Sequence, residues 1–175
     1  MENQTSTPKQ IMLNYGLILG FISILIAVAN FAIGNVYDPH WIISVFGILI
    51  TIALIVYGIM QVKQLNGGFL SLGESLKTGL GIALISGIVY VIYLFIFTSF
   101  IEPDFYTNMI SFQEQKILDT NPNLSDEQIE MSVTMMKKFM GPGMTAAFTI
   151  AGSLFIGFII SLIAGLIMKK TQEED

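Results

Sequence analysis

The chain has 175 residues, 53% of them hydrophobic and only 12% charged, with a net charge of -5 and no cysteine. Soluble domains carry roughly 25% charged residues, so this composition places the chain in a membrane, in one bundle-sized domain spanning residues 1–175. The missing cysteines exclude disulfides, thiolate nucleophiles and thiolate metal sites. All eight cationic side chains are Lys, so the bidentate fork used for phosphates and base edges is absent. With the negative net charge, this excludes nucleic acid as a partner.

Four stretches, Ile11 to Ile33, Trp41 to Val62, Thr78 to Ile101 and Thr145 to Met168, contain no Asp, Glu, Lys, Arg or His. At about 1.5 Å rise per residue, about 20 apolar residues cross the hydrocarbon core, so each stretch predicts a transmembrane helix. With capping signals included, the spans are placed at about 11–33, 41–62, 71–101 and 144–168. The expected fold is all-α: a four-helix transmembrane bundle with an amphipathic helical hairpin, residues 102–143, between the third and fourth spans. The missing charge also argues against ion coupling, because pumps and coupled transporters mark their pathways with ionisable residues.

The first stretch is read as a retained helix and not a signal peptide. Ala27-Val28-Ala29 has the form of a cleavage site, but the apolar run continues past it, and the leader sets Glu2 against Lys9. Gly16, Gly20, Ser23, Ala27, Asn30 and Gly34 form one small-residue stripe along this helix. In the turn after it, Gly34-Asn35 precedes Asp38-Pro39, which predicts Asp38 as the cap of the second helix and Pro39 in its first turn. The neighbouring His40 is the only histidine and reads as an interfacial polar residue. The second span has a looser set, Ser44, Gly47, Thr51 and Gly58.

Asn66-Gly67-Gly68 predicts a turn, and Ser71-Leu72-Gly73-Glu74 a capping box opening the third helix. Glu74 and Lys77, three apart, read as a cap and a surface ion pair. Gly79, Ala83 and Gly87 then repeat every four residues, as do Thr149, Ser153, Gly157, Ser161 and Gly165 in the fourth span. Lipid is as apolar as Leu, so close approach at small residues and polar contacts must hold such helices together. The first, third and fourth spans are therefore expected to pack most closely, with the second more exposed to lipid. The same stripes would also serve a homo-oligomer. Tyr90 and Tyr93 read as buried rings with bonded hydroxyls.

The long third connection reads as two helices. Asp104 is expected to cap the first, which carries Phe105, Met109 and Phe112 and ends near Asp119 at Asn121-Pro122-Asn123. Ser125 to Gln128 is a second capping box, followed by Ile129, Val133, Met136 and Met140 on one face, until Gly141-Pro142-Gly143 stops the helix. Val133, Met136 and Met140 are the partner-facing candidates, since methionine-rich surfaces adapt to what they bind. Asp119, Asn121, Asn123, Glu127 and Glu130 imitate a calcium loop, but Leu124 replaces the glycine of its sharp turn, so no metal is expected.

Phe69 to Lys77 ahead of a glycine-rich span, Ile101-Glu102-Pro103-Asp104-Phe105, Leu124 to Glu130, and Met140-Gly141-Pro142-Gly143 before a span ending Lys169-Lys170 follow one another in a specific order. In this order the chain resembles the bacterial family catalogued as domain of unknown function 4199. The resemblance covers nearly the whole chain and implies a multi-span protein of the bacterial inner membrane, without an activity or site residues. Lys9, Lys63, Lys77, Lys169 and Lys170 fall on the side of the termini against Lys116, Lys137 and Lys138 on the other, a modest bias that favours cytoplasmic termini. The expected role is that of a structural or accessory protein of the lipid bilayer, its outer hairpin meeting an envelope-protein partner or the membrane surface. The alternative is a small oligomeric transporter or channel for an uncharged solute. Enzymatic activity is not expected, nor a cofactor, because no triad, metal cluster or phosphate-binding loop is visible.

Overall fold

A computed structural model describes residues 7–34 and 36–170; Glu2 and Asn35 lie outside them. The described residues form six α-helices: α1 Pro8–Ala32, α2 Trp41–Leu65, α3 Leu72–Ile96, α4 Phe105–Thr120, α5 Asp126–Phe139 and α6 Pro142–Met168. A π-helical turn, Phe97–Ile101, prolongs α3. The chain is thus all-α, and α1, α2, α3 with its π turn, and α6 are each long and apolar enough to cross a membrane. At 25 residues, α1 measures about 38 Å, longer than the hydrocarbon core is thick.

Capping chemistry sets where these helices begin. α1 starts at Pro8 because Thr7 and Gln10 close a capping box: Thr7 N donates to Gln10 Oε1 at 2.7 Å, and Gln10 N to Thr7 Oγ1 at 3.2 Å. The expected cap of α2 is corrected. Trp41 is its first residue, so Asp38 and Pro39 precede the helix, and the extended residue at its mouth is His40, whose Nδ1 accepts from Ile42 N at 3.4 Å. α3 opens as expected, with Ser71 N and Oγ donating to Glu74 Oε2, each at 2.8 Å. Glu74 Oε1 accepts from Asn66 Nδ2 at 2.8 Å, so both carboxylate oxygens are bonded by neutral groups and the expected role of Lys77 as its partner gives way to Asn66.

The chain divides into two compact units, residues 1–90 with 150–175, and residues 91–149. In the first, α3 is the central element, burying Ser75, Thr78, Gly79, Ile82, Ala83, Ser86 and Gly87. α2 buries the smallest share of its apolar window, 17% against 33% for α3. It nevertheless supplies Ile55, Ile59 and Val62, among the largest fully buried side chains. Gly58 lets Ile82 Cδ1 approach to 2.5 Å from where a Cβ would stand, and Tyr57 meets Tyr15 edge-on at 5.6 Å.

The second unit holds the end of α3, its π turn, the α4 and α5 helices, which pack on each other, and the start of α6. Asp104 occupies the capping position of α4, but its side chain makes no capping bond. Its backbone, at φ -88° and ψ 9°, lacks the extended conformation that aims a side-chain oxygen at first-turn amides. Ser125, at φ -72° and ψ 155°, has that conformation and closes its box with Gln128.

Candidate functional site

The small residues predicted to pack converge mainly on α3. A Cβ at Gly16 would stand 2.6 Å from Ile85 Cβ, and one at Gly20 2.7 Å from Val89 Cγ1, so these glycines bring α1 against α3. On α6, a Cβ at Gly157 would stand 2.5 Å from Ala83 Cβ, and one at Gly165 2.8 Å from Ser75 Cβ. Gly79 of α3 receives Ser161, and Gly87 receives Ser153 Oγ at 2.6 Å from its missing Cβ. Ser23 and Ala27 are only half-buried. Ser23 Oγ donates back to Leu19 O within α1. Farther along the stripe Asn30 is 6% exposed and its Nδ2 donates to Ile26 O at 3.0 Å, while Gly34 is exposed with no atom within 4 Å of where a Cβ would stand.

One seam residue escaped the sequence reading. Ser75 Oγ donates to Ser161 O at 2.7 Å, an interhelical bond between fully buried groups, while Ser161 Oγ donates to Gly157 O at 2.6 Å. Ser75 stands four before Gly79, so the repeat of four contained the signal, but it lies before the charge-free stretch that begins at Thr78.

Beside that seam the chain forms a polar clasp. Lys63 Nζ, in the last turn of α2, donates to Met168 O at 2.8 Å, setting an ammonium against the carbonyl end of α6. Leu70 and Lys170 exchange two backbone hydrogen bonds, of 3.0 and 2.9 Å. Gly67 and Gly68, at φ 65° and 92°, make the reversal that brings Leu70 there.

The hairpin carries two apolar rows on α5. Ile129 and the predicted partner-facing Val133, Met136 and Met140 form a half-buried row. Met131, Met135 and Phe139, spaced by four, are 67%, 50% and 43% exposed. The more exposed row on α5 is thus Met131, Met135 and Phe139, while the partner-facing candidates Val133, Met136 and Met140 are half-buried. α5 is already helical at Asp126, which places Glu127 and Glu130 on a helix instead of in a loop around an ion. Among the described residues no group of three or more His, Asp or Glu side chains could hold a metal.

The same unit contains a cavity of about 250 Å³. Leu94 and Thr98 line it from α3 and the π turn, Tyr106 from α4, and Pro142, Gly143 and Ala146 from α6. Thr98 Oγ1 donates to Leu94 O at 2.9 Å, and the turn closes with Glu102 N donating five residues back to Phe97 O at 2.8 Å. Phe97, 3% exposed, stacks on Tyr93 at 5.7 Å and meets Phe105 edge-on at 5.7 Å, which anchors the widened turn. Nothing in the sequence signals this π turn, because Phe97 to Ile101 is as apolar as the helix before it.

The family described as protein of unknown function DUF4199 has a model that matches residues 14–170, nearly the whole chain. No curated protein and no solved structure matches it.

Proposed function

The chain belongs to the DUF4199 family, and from that footing we propose that it is an accessory protein of the bacterial inner membrane whose α4–α5 hairpin binds an envelope protein. The observation that carries this reading is the exposed row Met131, Met135 and Phe139, presented on a capped helix whose other apolar row is already half-buried. A row spaced by four is the pattern by which a helix enters an apolar groove. Methionines suit such a surface because their side chains adapt in shape. The lysine distribution supports cytoplasmic termini, which puts the hairpin on the extracytoplasmic side.

Transport of an uncharged solute has less support. The buried hydroxyls of Ser75, Thr78 and Ser161 are bonded to helix carbonyls and offer a solute little. The test is a photo-crosslinking residue placed at position 135 in the full chain in native membranes. A single discrete envelope-protein adduct, lost when Met131 and Phe139 are both changed to Glu, is expected. Crosslinks to lipid or to a second copy alone would overturn the reading.

A further inference from the structure

We infer that the cavity beside the π turn is a binding site for one acyl chain of a membrane phospholipid, with the lipid's polar end at Tyr106. This rests on different side chains from the hairpin surface and is independent of it. Leu94 and Thr98 belong to one apolar span and Gly143 and Ala146 to another, so the cavity lies at bilayer level near the end of both helices. Phe95 also lines it and is 62% exposed, so its mouth is continuous with the lipid-facing surface.

The lining decides between occupants. It is overwhelmingly apolar, and such a cavity does not hold water, which needs two to four polar partners. A peptide segment there would leave amides unbonded at a depth where nothing replaces water. An acyl chain requires no hydrogen bonds and is the substance that surrounds the mouth. Tyr106, in the first turn of α4, is the kind of amphipathic ring that settles at headgroup level, where its hydroxyl meets the glycerol ester region. The π turn makes the room, since one residue more than a regular turn widens the helix where the cavity forms.

Gly143 makes a clean test. It lines the cavity, and a Cβ there meets no atom within 4 Å, so a larger side chain can be placed at the cavity wall without a clash. Gly152, also on α6, is equally open but lies away from the lining. The full-chain protein in detergent would be titrated with dioleoyl phosphatidylglycerol and the bound lipid counted by native mass spectrometry. Wild type is expected to take up one lipid saturably, G143L and A146L to bind it about tenfold more weakly, and G152L to match wild type. Tyr106→Phe should weaken binding about threefold while leaving the stoichiometry at one. Non-saturable uptake by wild type, equal losses in G143L and G152L, or undiminished binding in both G143L and A146L would each overturn the assignment.

Discussion

The two units are held together by different means: the first is built from apolar helices, whereas the second consists largely of the amphipathic α4 and α5. In residues 1–90 with 150–175, glycines and serines let α3 touch its neighbours at distances no larger side chain permits. In residues 91–149, rings meet rings around Phe97, and the start of α5 is closed by the Ser125–Gln128 capping box. The contrast follows from the solvent. Within lipid, burying Leu gains little, so stability comes from close backbone approach and interhelical bonds. A hairpin that meets water gains from apolar contact and needs its first-turn amides satisfied.

If that contrast is right, only the first unit is destabilised by added bulk. Gly157→Leu forces a side chain into Ala83 and the carbonyl of Gly79, and should lower stability in detergent by about 3 kcal/mol, read as a fall in thermal midpoint. Gly143→Leu, in the other unit, should leave that midpoint within the scatter of wild type. Equal effects would erase the distinction.

Smaller changes sharpen it. Ser125→Ala removes a working cap and should cost about 1 kcal/mol, seen as faster hydrogen exchange at the start of α5. Asp104→Ala removes a side chain that caps nothing, and exchange at the start of α4 should not change. Ser75→Ala deletes one interhelical bond, for which about 0.6 kcal/mol is expected, close to the average for such bonds in a membrane bundle. A loss several times larger would mean that polar bonds, not close approach, dominate the seam.

What was legible in the sequence divides along physical lines. Long uncharged runs and small residues every four positions are global patterns, so the four spans and the stripes that hold Gly79, Ala83, Gly157 and Ser161 could be read directly, but not whether the stripes meet within one chain or between copies. Details that depend on a few dihedral angles were not. Asp104 and Ser125 are both good capping residues by type, and only backbone geometry separates them. His40 replaced Asp38 because the helix begins at Trp41. On α5, two rows compete for the same periodicity, and composition does not say which one a neighbouring helix covers. Lys63 and Met168 are 105 residues apart, a separation that no local pattern bridges.

That separation bears on how the protein is made. Ser75 and Ser161, which bond across the seam, lie 86 residues apart, so during synthesis α3 enters the bilayer long before its partner exists. Throughout that interval its serine and glycine face is an unfilled slot, open to any other small-residue helix passing in the membrane. The clasp of Lys63 with Met168 and of Leu70 with Lys170 forms only once the far end of α6 has emerged, making it the latch that ends the vulnerable period.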